Sequence, residues 1–136
     1  MGLTTEGKES ILEAFFRRTT DYIPTQFYIR LCNDTLTASD TLTSILNEPS
    51  GNGYSAQLVE ASSVGFPTKD TFEGNPRLTS KEVTFTAASG DIGPVNTVFI
   101  ATTSDNSGKL IGYLDLPISR TILDGDSMVI SVEVIE

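Results

Sequence analysis

The sequence predicts an all-β fold, an antiparallel two-sheet sandwich of jelly-roll or immunoglobulin-like kind, with an N-terminal amphipathic helix. Three observations predict it. Of 136 residues, 18 are Thr and 14 are Ser; β-branched Thr suits strand faces and Ser suits turns. Short alternating apolar segments recur between clusters of Gly, Pro, Asn and Asp, the signature of strands joined by turns. Sustained helical spacing of apolar residues occurs only near the N-terminus. The length suits one domain, divided here into a helical arm over residues 1–24 and a sandwich over residues 25–136.

The elements follow in order. Thr4 or Thr5 caps a helix in which Ile11, Leu12, Phe15 and Phe16 form one apolar stripe, with Lys8, Glu9, Glu13 and Arg17 on the other side. Glu6 and Glu9 suit its positive end, and Arg17 and Arg18 its negative end. Such a helix, about three turns long, is unstable alone, so its stripe is covered either by its own domain or by a neighbouring subunit. Gln26–Leu31 is a strand with Phe27, Ile29 and Leu31 on one face and Tyr28 and Arg30 on the other; Cys32 follows as a small core residue. The polar stretch from Asn33 to Asn47 contains either a helical turn with Leu42, Ile45 and Leu46 on one side or a loop strand. In the turn Glu48–Gly53, Gly51 and Gly53 supply unusual backbone angles, and Tyr54 is a large anchor opening a strand to Ala61.

Residues 62–76, with two prolines and two glycines, read as a long irregular connection anchored by Phe66 and Phe72. Thr79–Ala87 alternates, turning Val83, Phe85 and Ala87 one way. After a turn at Asp91–Pro94, Val95–Thr102 and Lys109–Leu116 form a hairpin, with Gly108 placed for positive φ. Asp124–Asp126 is a tight turn, and Met128, Ile130, Val132 and Val134 alternate along a last strand.

Charge and composition narrow the function. A net charge of −9 with a pI near 4.3 repels phosphate backbones, so no nucleic acid partner is expected. No apolar run approaches the roughly 20 residues of a membrane span, and Met1–Glu6 does not read as a signal peptide. The absence of His removes the usual general base and zinc ligand, and one cysteine makes no internal disulfide. Asp124 and Asp126 begin like a calcium loop, but Met128, Ile130 and Val132 stand where oxygen ligands are needed. Glu48 and Glu60 show no spacing that marks a glycosidase pair. Ser50-Gly51-Asn52-Gly53 is followed by neither the lysine nor the helix of a phosphate-binding loop. The expectation is a protein with no catalytic residue, no metal and no cofactor.

An ordered set of motifs carries a resemblance. Phe27-Tyr28-Ile29-Arg30-Leu31 is followed by Glu48-Pro49-Ser50-Gly51-Asn52-Gly53-Tyr54-Ser55 and then by Val83-Thr84-Phe85 with Ala87. Val98–Thr102, Ser107–Tyr113, Leu116–Arg120 and Asp124-Gly125-Asp126 complete the series. Over residues 3 to 135 the chain resembles a family of small virion proteins of tailed bacteriophages. Ala56 stands where that family carries Arg, and the loop 35–47 is longer than usual. The resemblance implies a β-sandwich assembled in the host bacterial cytoplasm and carried on the virion, at the capsid surface or on the tail. The first expectation is a capsid decoration (cement) protein that binds the outer face of the major capsid protein and stabilises the shell. The alternative is a tail-fibre or baseplate component acting as a binding module. Either way the partners are virion proteins, including further copies of the chain in a symmetric assembly. The stripe residues Leu12, Phe15 and Phe16 and the loop residues Leu42, Ile45 and Leu46 are the expected partner interface.

Overall fold

The computed structural model describes residues 1–135. Strand β1 (Gly2–Leu3) precedes helix α1 (Thr5–Phe15), and β2 (Gln26–Cys32) and β3 (Gln57–Glu60) follow. A hairpin of β4 (Thr68–Phe72) and β5 (Asn75–Thr79) leads to β6 (Val83–Thr86). The long strands β7 (Ile92–Ala101) and β8 (Leu110–Ile122) come next, then β9 (Ser127–Ile130) and β10 (Glu133–Ile135). All pairings are antiparallel. One layer is a five-stranded sheet in the order β1-β8-β7-β2-β3.

The second layer is built from two long runs, each broken once. Thr79 pairs with Glu133 and Val83 with Ile130, so Ser80–Glu82 opposes only Ser131 and Val132, leaving one extra residue as a bulge. Ser80 bridges the break: its N–H donates to the Val132 carbonyl and its hydroxyl accepts the Val132 N–H, both at 2.9 Å. The single strands expected at Thr79–Ala87 and over the last residues are therefore β5 plus β6 and β9 plus β10. The alternation itself stands, since Val83, Phe85 and Ala87 are all buried.

The core lies between the layers. Ile29, Leu31, Val59, Val98 and Ile100 of the large sheet meet Val83, Phe85 and Val132 of the other layer. The opposite face of the large sheet is covered too. Cys32, Phe99, Ala101 and Leu110 lie under Leu36, Leu42 and Ile45 of the long loop. A 3-10 turn over Leu42–Ser44 places these residues. Leu42 and Ile45 are 1% and 4% exposed, so the expectation that they meet a partner is corrected: they are core. Covering a naked sheet face is worth roughly 1.5–3 kcal/mol per fully buried aliphatic side chain, which is why the loop folds inward. Leu46 alone of the three points outward, at 82% exposure.

The N-terminal segment is tied to the body, not held as an arm ending at residue 24. β1 pairs with Gly112 and Tyr113 of β8. Thr4 is fully buried, donates its N–H to the Ile111 carbonyl and caps the helix by accepting the Gly7 N–H at 2.9 Å. Glu6 reaches across to accept the Leu110 N–H at 3.0 Å. The helix turns Gly7 and Ser10 inward, and a Cβ on Gly7 would collide with the Ile111 backbone. Its last turn contains no basic residue; Arg17 instead pairs with Glu13 at 2.6 Å.

Other elements depart from expectation for local reasons. The supposed connection 62–76 contains β4 and the start of β5. Phe66 packs edge-on against Phe27 as an anchor, whereas Phe72 is 45% exposed with the Arg77 guanidinium 5.1 Å over its ring. The Asp91–Pro94 segment already belongs largely to β7, because Ile92 pairs with Ile122. The strand expected at Tyr54 starts at Gln57. Gly108 is absent from the positive-φ residues; glycine fits there because a Cβ would strike the Thr102 and Thr103 side chains.

Two outcomes follow from this packing. Gly7→Ala is expected to push the helix off β8 and lower stability by about 1–3 kcal/mol, read as a lower urea midpoint and faster proteolysis near residue 16. Burial pushes the Cys32 thiol up to about 12 from 9.0, so the folded chain keeps a proton that the unfolded chain gives up. That contribution is complete below about pH 9 and is lost as pH rises toward about 12. The urea midpoint of Cys32→Ala is expected to fall less steeply above about pH 9 than that of the parent chain.

Candidate functional site

Helix α1 decides what the surface offers. At about 100° per residue, Gly7, Ser10 and Ala14 share the sector that faces β8, and the apolar stripe is centred roughly 130° away. Packing through the small face therefore leaves the stripe uncovered. Phe15 is 76% exposed, Phe16 73% and Leu12 57%. The two phenylalanine rings stand edge to face with centroids 5.0 Å apart. Ile11 and Ile23, half-exposed beside them, extend the patch. Covering Leu12, Phe15 and Phe16 with a partner is worth roughly 1–2 kcal/mol each beyond their present burial. A contiguous apolar patch of this kind marks an interaction site.

Beside the patch a cleft of about 420 Å³ opens between the helix, the segment Asp21–Phe27 and the start of β8. Ile11 and Ile23 line both cleft and patch. The Lys109 ammonium sits 4.6 Å above the Tyr22 ring inside it, a favourable cation–π placement. The Tyr22 hydroxyl donates to Glu9 at 3.4 Å, and the Glu9 charge raises its pKa.

The interior holds a polar network that sequence reasoning missed. Arg30 alternates away from the main core as expected, yet it is 1% exposed because loops cover that face. Its Nε and one terminal nitrogen grip Glu48 at 2.8 and 2.6 Å. The remaining N–H groups donate to the carbonyls of Thr103 and Asp105 and to Asn106 Oδ1. Phe99 supplies a ring face 4.9 Å from the guanidinium carbon. Burial pulls the Arg30 pKa down, but the Glu48 hydrogen bonds and charge outweigh it and leave the group above its ordinary value. Tyr54 joins by donating to Glu48 at 2.7 Å and accepting the Leu31 N–H at 3.0 Å. Burial, with Glu48 as hydrogen-bond acceptor, pushes its phenol well above the usual range. Tyr54 also stacks on Phe85, centroids 5.7 Å apart.

The turn motif places these groups. Gly51, Asn52 and Gly53 all have positive φ, and a Cβ on Gly53 would approach the Thr86 carbonyl to 2.7 Å. Asn52 fixes the turn by accepting the Ala88 N–H and donating to the Asp91 carbonyl. The Asp124–Asp126 turn is held by the Asp91 carboxylate accepting the Asp124 N–H at 2.9 Å. Among the described residues, no three His, Cys, Asp or Glu side chains gather as a metal site, and no helix is long and apolar enough to cross a membrane.

The fold is a β-sandwich with Arg30 and Glu48 bound to each other inside it and an aromatic stripe uncovered on its outer face. The sequence places this chain among bacteriophage virion proteins: residues 2–136 match the family described as Podophage GP4 fiber I protein gp80, and the chain belongs to that family. No curated protein matches it.

The buried network gives a direct prediction. Arg30→Met leaves Glu48 without its cation, and Glu48→Gln leaves Arg30 with uncompensated charge; each is expected to cost about 3 kcal/mol in urea unfolding. The double variant is expected to recover part of that loss, a coupling that a double-mutant cycle reads directly.

Proposed function

We propose that this chain is a structural component of the phage tail-fibre apparatus, attached to another virion protein through the outer face of helix α1, and that it carries no reactive centre. The observation behind this reading is the family match along nearly the whole chain, to a fibre protein. It favours the fibre over the capsid coat, which the sequence reading put first. The uncovered stripe supports attachment: exposed Phe15 and Phe16 cost solvation until a partner covers them. The absence of a reactive centre accords with the engagement of Glu48 by Arg30 and Tyr54 and with the raised Cys32 pKa.

Gold-labelled antibody against the chain, viewed on purified particles by negative stain, tests the location. Label is expected at the tail and its fibres. Label spread evenly over the shell returns the protein to capsid decoration on the major capsid protein.

A further inference from the structure

Charge around the uncovered face of α1 says what kind of partner it fits. Among the described residues, Arg17, Arg30 and Arg77 are ion-paired with carboxylates. Six cations are left outside such pairs in a chain of net charge −9, and three of them border this face. Lys8, expected on the side away from the stripe, in fact lies one turn before Leu12 and so on the stripe itself, as the i, i+4 spacing along α1 requires. Arg18 follows Phe16 just past the helix end, its backbone turned by a φ of 53°. Lys109 is held in the adjoining cleft against Tyr22. The face is an apolar strip with Lys8 on it, Arg18 just past its end in the chain and Lys109 in the cleft; Asp21 also lines the cleft and Glu9 accepts from Tyr22, so three cations stand against two carboxylates there.

We propose that the stripe and cleft form a groove for an amphipathic helix of another virion protein, one whose apolar stripe is flanked by Asp and Glu. This deepens the attachment role proposed above and rests on it. A leucine or aromatic side chain enters the cleft at Ile11 and Ile23, while the partner's carboxylates meet Lys8, Arg18 and Lys109. Helix-in-groove recognition of this kind takes its affinity from apolar anchors and its selectivity from flanking charge. A second copy is the poorer occupant. Stripe against stripe, an antiparallel pairing brings Lys8 toward Arg18, and a parallel one brings each cation toward its twin; both arrangements repel.

The test uses fluorescein-labelled synthetic peptides of one helical design, an apolar leucine stripe with either glutamate or lysine flanks, titrated against the full chain by anisotropy. The glutamate-flanked peptide is expected to bind at least about tenfold more tightly, with the gap narrowing as salt is added. Lys8→Glu with Arg18→Glu, both exposed positions, is expected to reverse the preference without moving the melting temperature, and Phe15→Ser to weaken both peptides. Equal affinity for the two peptides, or no binding by the folded chain, overturns the groove. Self-association abolished by Phe15→Asp also overturns it, by naming a second copy as occupant. Gold label on the shell with the peptide preference intact overturns the fibre location alone, whereas label on the fibre with no preference overturns the groove alone.

Discussion

The guanidinium of Arg30 is the constraint around which the domain closes. Each of its five N–H donors finds an acceptor, two on Glu48 and three on the segment Thr103–Asn106. These acceptors belong to two loops more than fifty residues apart. A buried charge left with a missing acceptor is costly, so the loop before Tyr54 and the β7–β8 loop must arrive together or not at all. Tyr54 extends the constraint through the layers, because the ring stacked on Phe85 carries the hydroxyl that binds Glu48 and Leu31. Sheet, turn and opposite layer are thereby set relative to one another by one cation.

Much of the fold was legible from periodicity. The strand at Gln26–Leu31, the buried trio Val83, Phe85 and Ala87, the hairpin of β7 and β8 and a threonine cap at Thr4 or Thr5 all follow from local pattern. What stayed hidden depends on cover. Alternation correctly turned Arg30 away from the core between the layers, yet it cannot tell solvent from a loop folded across the far face, and Leu42 and Ile45 form that loop cover. The breaks at Ser80–Glu82 and Ser131–Val132 were invisible for a related reason. A bulge preserves the apolar period on both sides and shows itself only in the pairing partner.

The helix carries the same lesson for the candidate site. Its apolar residues signal a face to be buried, whether by its own domain or by a neighbour. Two small residues settled the docking, since Gly7 and Ser10 allow the backbone of α1 to lie against β8 more closely than any leucine would permit. The stripe was visible in the sequence; its orientation was not, because close approach of backbones depends on side chains that are nearly absent.

The long strand β8 has a wider consequence. β1 covers only Gly112 and Tyr113, and between Asp115 and Arg120 the strand swells, its five-residue advance opposing two on β7. Pro117 and the 73%-exposed Ile118 lie in that swelling. A rim so bent, with one amide hydrogen missing, is a poor template for backbone pairing. A second chain laid along this rim is thus kept from extending the sheet, and contact there rests on side chains that selection is free to retune one at a time.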